Sequence, residues 1–130
     1  MLATLDGYKR IVVDGVRHYG KHQIVNAARC NERLLDKAVI AQFMTDLVDR
    51  IDMVAFGDPI VERFGEGIEV GISAVQLIQT SAIVIHTNDN ARDLYLDVFS
   101  CKDFDADTVS AIVNEYFAPE SAETQVFLRK

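Results

Sequence analysis

The chain has 130 residues, 49% of them hydrophobic, which is enough for one domain (1–130) with a buried core and too little for two ordinary ones. A formal net charge of −7 leaves no basic stripe to neutralise phosphates, which argues against nucleic acid or an anionic membrane as partner and favours a cationic or zwitterionic small molecule. Two cysteines, Cys30 and Cys101, are too few for a disulfide framework and lack metal-type spacing, and the chain has neither a membrane-length apolar run nor a signal peptide, so a reduced, cytoplasmic protein without a bound metal is expected.

Met1 to Gly7 read as a loose leader. The run Tyr8-Lys9-Arg10-Ile11-Val12-Val13-Asp14 predicts a short strand ending at Gly15, and His22 to Arg29 predicts a second. Asn31 is placed to cap the first long helix, with Glu32 in its first turn where a negative charge meets the positive end of the helix dipole. Apolar residues from Leu34 and Leu35 through Met44 and Leu47 to Ile51 recur at three- and four-residue steps, giving that helix one core face to about Arg50. Gly57-Asp58-Pro59 then breaks the chain. Gly65, Gly67 and Gly71 read as a flexible connector, since a strand and not a helix follows them, unlike a phosphate-binding glycine loop.

From Val75 to Thr87 the residues are mostly β-branched or apolar, with no glycine or proline, and predict one strand that stops at the turn cluster Asn88-Asp89-Asn90. Asp93 to Cys101 alternates with period two and folds back on it. With the turn near Asn90, paired positions sum to about 180, which sets His86 opposite Leu94 and Ser81 opposite Phe99. Ser81 and Cys101 then lie within roughly 10 Å of each other across the ladder. Asp105 to Phe117 predicts a second helix, ended by Pro119, and Glu123 to Arg129 a closing strand. This order predicts an α+β fold: a two-layer α/β sandwich, its mainly antiparallel sheet carrying two helices on one face. The other face is left uncovered, so a homodimer or larger assembly is expected.

Ser81, His86 and Cys101 admit three readings. A serine in a strand, a histidine beside a turn and a small buried cysteine are ordinary structural residues. A hydrolase with Ser81 or Cys101 as nucleophile and His86 as base meets a geometric obstacle, because positions 81 and 86 of a regular strand point to opposite faces, and no nucleophile elbow is present. The third is self-processing. A serine hydroxyl attacks the preceding carbonyl, elimination breaks the chain, and the second fragment keeps a pyruvoyl ketone that forms a Schiff base with a substrate amine. Ser81, His86 and Cys101 suit the cleaved serine, the base and the acid of that scheme.

Gly20-Lys21-His22, Cys30-Asn-Glu-Arg-Leu-Leu35, Gly71-Ile-Ser73, Ser81, Ile85-His86-Thr87 and Asp97-Val-Phe-Ser-Cys101 together resemble, in kind and mutual spacing, the short prokaryotic form of S-adenosylmethionine decarboxylase, a pyruvoyl enzyme of polyamine synthesis. The resemblance implies cleavage between Thr80 and Ser81, with Ser81 becoming the pyruvoyl group. It also implies that Ser73 and His86 assist processing and that Cys101 is the proton donor in decarboxylation. A homodimer of cleaved αβ pairs, with active sites at the dimer interface, follows from the same resemblance.

Departures mark the rest of the site. Gln79-Thr80-Ser81-Ala82 lacks the family's acidic residue before the cut and its histidine after it. Asn88-Asp89-Asn90 stands where the family has Trp-Pro-Glu, making Asp89 and Asn90 the candidates for the ribose-binding position. Phe64 is the nearby replacement for an adenine-stacking aromatic, and Asn26 stands where an acidic residue is common. The expected substrate is S-adenosylmethionine or, with this altered pocket, a basic amino acid such as ornithine or arginine. The alternative is an uncleaved relative that serves as a binding or regulatory subunit.

Overall fold

The computed structural model, which describes residues 5–130, begins with a hairpin that the sequence reading took as a single strand. Strands β1 (Ile11–Val13) and β2 (Val16–His18) pair across Asp14 and Gly15, whose φ values of 51° and 77° are the left-handed pair that a two-residue hairpin turn requires. Strand β3 (Gly20–Ala28) follows close to its expected bounds. Met1 to Thr4 of the leader lie outside the described residues.

Asn31 does not cap the long helix. Its side chain accepts from the Arg33 backbone N–H and caps a short 3-10 turn, Glu32–Leu35, which drives Leu34 into the core; Asp36, in an extended conformation, then caps α1 (Lys37–Arg50) by accepting from the Ala38 N–H. A cap of this kind stabilises a helix by about 1 kcal/mol. Gly57-Asp58-Pro59 is also not a chain break. It forms a register shift inside the edge strand β4 (Ala55–Phe64), where proline costs no ladder bond that the sheet needs.

The apolar run 75–87 is two strands, not one. β5 (Gly71–Ile78) and β6 (Ser81–Asn88) form a hairpin through Gln79 and Thr80. No glycine, proline or asparagine marks this turn because tertiary bonds hold it: the Gln79 N–H donates to the Val54 carbonyl and Thr80 bonds to Cys101. β7 (Asp93–Ser100), α2 (Ala106–Phe117) and β8 (Ser121–Arg129) complete the chain. The six strands run β4-β5-β6-β7-β3-β8, every pair antiparallel. The expected α+β sandwich is therefore observed.

The core lies between one sheet face and the helices. Phe43 of α1 packs 5.0 Å from Phe117 and 5.2 Å from Tyr116 of α2, over Ile72, Ile83, Ile85, Leu94 and Leu96 of the sheet. Each such side chain contributes roughly 1.5–3 kcal/mol by leaving water. Residues on the other face form straight rows across the strands: Phe56, Leu77, Ala82, Phe99, His22 and Phe127; then Ile60, Val75, Val84, Asp97, Ile24 and Gln125; then Glu62, Ser73, His86, Tyr95, Asn26 and Glu123. Among the described residues no helix covers this outer face, and Phe56, Ile60, Leu77, Tyr95 and Phe127 are between 45% and 65% exposed on it.

Candidate active site

The short β5–β6 turn brings Thr80 and Ser81 to the end of β7, where Ser81 pairs with Ser100 and Cys101 comes next in the chain. Thr80 Oγ1 and Cys101 Sγ share a hydrogen bond of 2.7 Å. From the other side Arg10, which enters β1, donates from Nη2 to the same sulfur at 3.0 Å. Burial would raise the Cys101 thiol pKa, but the hydrogen bonds from Thr80 and Arg10 and the Arg10 charge outweigh it and hold the thiol below its ordinary value. Cys30 is the contrast, pushed up to about 11 by burial and then by the Asp93 carboxylate, against the opposing pull of Arg92. Ser81 itself has φ +155°, a value that residues with side chains rarely adopt.

The pairing differs by one residue from the expected register. His86 faces Tyr95 and not Leu94, and Ser81 faces Ser100 and not Phe99, because Asn88 pairs directly with Asp93 and the turn closes over the four residues between them, so its centre lies after Asn90 and not on it. A one-residue slip exchanges the faces, so His86 sits beside the outer-face Tyr95 instead of the core residue Leu94. On that face His86 Nδ1 and Ser73 Oγ form a hydrogen bond of 3.0 Å, directly across the β5–β6 ladder. The pair lies five residues along β6 from Ser81, about 16 Å at strand rise. Ser73 and His86 are thus brought to each other, and Ser81 and Cys101 to each other, but the two pairs stand apart within one chain.

The remaining candidates lie at the far end of β6. Asp89 bonds through Oδ2 to Arg63 Nε at 3.1 Å, while its Oδ1 is buried without a partner among the described residues. Asn90 is exposed in the turn, and Phe64 ends β4 opposite Gly71, also exposed. This end is about 25 Å along the strand from Ser81. A cavity of about 900 Å3 lies elsewhere, on the helix side among Asp46, Asp49, Asp58 and Tyr116, and none of the candidate residues lines it.

Sequence reasoning missed two contributors. Arg10 reaches Cys101 only because of the first hairpin, and Asp14-Gly15 between apolar residues is the turn signal that would have revealed it. His22 Nε2 and Asp97 Oδ1 bond at 3.0 Å on the outer face, with the His22 ring 5.6 Å from Phe99 and 6.4 Å from Phe127. Alternation on paired strands would have put these two on one face once the order of the strands was known.

No helix among the described residues is long and apolar enough to cross a membrane. A comparison with curated proteins gives no match. Among solved structures, the adenosylmethionine decarboxylase from Aquifex aeolicus has the same fold, with a TM-score of 0.74 at 20% identity over 88% of this chain and 92% of that one. A family model described as S-adenosylmethionine decarboxylase matches residues 21–130, from the start of β3 through the whole six-stranded sheet and both helices, and on that match the chain belongs to the S-adenosylmethionine decarboxylase family.

Proposed function

We propose that this chain is a pyruvoyl-dependent S-adenosylmethionine decarboxylase that cuts itself between Thr80 and Ser81. The supporting observation is the contact between Thr80 and the Cys101 thiol at the bond to be cut, in a member of a decarboxylase family. Ser81 fits the role of the cleaved residue: it opens a strand after a two-residue turn, and its backbone is held in an unusual conformation. In processing, its hydroxyl would attack the Thr80 carbonyl to give an ester, loss of the Ser81 α-proton would release the first fragment as a carboxylate, and water would hydrolyse the remaining dehydroalanine, as its imine, to the pyruvoyl ketone with loss of ammonia. The pyruvoyl group left on the second fragment supplies a carbonyl that binds the substrate amine and draws electrons from the bond to the carboxylate. Cys101 holds a proton at Sγ next to that position and gives it to the substrate carbon after carbon dioxide departs. The Oδ1 of Asp89, buried without a partner among the described residues and on a carboxylate oriented by Arg63, is an unused acceptor that we assign to a ribose hydroxyl, with Asn90 and Phe64 beside the same end of the sheet.

The split between the two pairs supports a homodimer. Ser73 and His86 lie too far from the Ser81 of their own chain to act on it, yet they stand on the uncovered face, and the row nearest the Thr80 turn is Leu77, Ala82 and Phe99 on that same face. Two copies that join these faces about a twofold axis bury the exposed apolar rows and set the Ser73–His86 pair of one chain toward the Thr80 turn of the other, where Ser81 opens its strand.

Intact-mass measurement of purified protein tests the proposal. Two fragments, one ending at Thr80 and one beginning with a pyruvoyl-blocked residue 81, are expected, with release of carbon dioxide from S-adenosylmethionine. Release from ornithine or arginine instead would move the assignment to a basic amino acid. A single full-length mass after long incubation would overturn the enzyme reading in favour of a binding or regulatory subunit, an outcome that the altered cleavage sequence Gln79-Thr80-Ser81-Ala82 makes worth testing.

A further inference from the structure

The family match begins at Lys21, so β1, β2 and Arg10 lie outside it, yet Arg10 touches the thiol at the centre of the site. The hairpin that carries it is fastened on several sides. Ile11 is buried and pairs with His18, Arg17 Nη1 donates to the Lys9 carbonyl at 3.0 Å, and the Tyr19 N–H donates to the Arg129 carbonyl at 2.6 Å. Tyr8 packs 5.8 Å from Tyr19, and Tyr19 5.9 Å from Phe99, so the hairpin leans on β7 two residues before Cys101. Arg10 is thus delivered by a supported element and not by a free terminus.

We propose that Arg10 is a positioning residue for the chemistry of Cys101, supplied by an amino-terminal hairpin that lies outside the family match: its guanidinium fixes the direction of Sγ and balances the negative charge left when the thiol gives up its proton. The proposal rests on the reading of Cys101 as proton donor. In that step the S–H bond breaks, its electron pair stays on sulfur, the proton forms the new C–H bond, and solvent later returns a proton to the thiolate. A guanidinium 3.0 Å from the sulfur stays charged throughout and favours the thiolate state. The Thr80 contact supplies a hydrogen bond without charge, so Arg10 is the cation at this sulfur.

The test is the pH dependence of iodoacetamide alkylation at Cys101, read by peptide mass so that Cys30 is scored separately, in the purified wild-type protein and its Arg10→Gln and Arg10→Lys variants, each with its cleavage state read by intact mass. Arg10→Gln is expected to move the alkylation midpoint upward, slowing modification roughly tenfold at pH values below the midpoint, and Arg10→Lys to restore much of the wild-type profile. Identical profiles for the wild type and Arg10→Gln would overturn the proposal, even if the protein releases carbon dioxide from S-adenosylmethionine. A shifted profile in a protein that releases none would instead remove Cys101's assigned role and leave the Arg10–Cys101 pairing standing. Circular dichroism of Arg10→Gln matching the wild type is expected, and a lost fold shared by both variants would count against a specific role.

Discussion

The two ends of β6 are built differently. At the Asn88 end nearly every polar group is tied to backbone: Thr87 Oγ1 accepts from the Ile72 N–H, Asn88 donates to the Ile68 carbonyl and accepts from the Ala91 N–H, and the Asp89 N–H donates to the Val70 carbonyl. Gly71 is also pressed so closely against the Thr87 carbonyl that no side chain fits there. At the Ser81 end, by contrast, side chains from three segments meet at one sulfur, and the backbone of Ser81 departs from ordinary strand geometry. One end is anchored and keeps one carboxylate oxygen buried without a partner among the described residues; the other gathers a thiol, a hydroxyl and a guanidinium beside the Thr80–Ser81 bond. Under the proposed function, recognition and chemistry would fall at opposite ends of one strand.

The comparison is broken most severely by Ser81→Ala, which is expected to abolish both chain cleavage and carbon dioxide release, as read by intact mass; cleavage at another bond would move the reactive end elsewhere. His86→Ala is next, with cleavage slowed on the order of 100-fold in the homogeneous variant. Mixing His86→Ala chains with Ser81→Ala chains under conditions that exchange subunits should restore cleavage of the former in the mixed dimers, since each of those holds one intact serine facing one intact histidine. A mixture that stays uncut would show that the two pairs do not meet across copies. Cys101→Ala should leave cleavage in place and lower decarboxylation by roughly 100-fold, a gap that Cys101→Ser should narrow. Because donation needs the protonated thiol and the site holds its pKa below the ordinary range, wild-type turnover should fall as pH rises, starting at a lower pH than a free thiol would give. The smallest effect belongs to the anchored end. Asp89→Asn should raise KM by about tenfold with kcat changed by less than about twofold, as expected for a group that binds without taking part in the reaction; an equal loss in kcat would erase the division of labour.

The architecture was legible in the sequence where periodicity was strong. Both helices, the β7 alternation and the two-layer arrangement follow from apolar spacing alone, whereas Ser81, His86 and Cys101 were candidates with three open readings whose roles came only from the family resemblance. What escaped notice was set by tertiary contact. The turn at Gln79 and Thr80 carries no local signal because the Val54 carbonyl and Cys101 hold it, so an unbroken β-branched run hid a hairpin. β4 was obscured by a glycine and proline that an edge strand tolerates at a bulge. The pairing of His86 with Ser73 became visible only when that run was divided and its register set.

The strand order has a further consequence for a chain cut after Thr80. The first fragment would hold β3, β4 and β5, the second β6, β7 and β8, and in the sheet these interleave: β5 lies against β6, and β3 is inserted between β7 and β8. Scission would therefore leave the two pieces zipped along three separate ladders, with no single seam along which they could part. The price is paid only on unfolding. Once melted, the halves would have to find each other by diffusion, so recovery would depend on concentration in a way that the uncut precursor escapes.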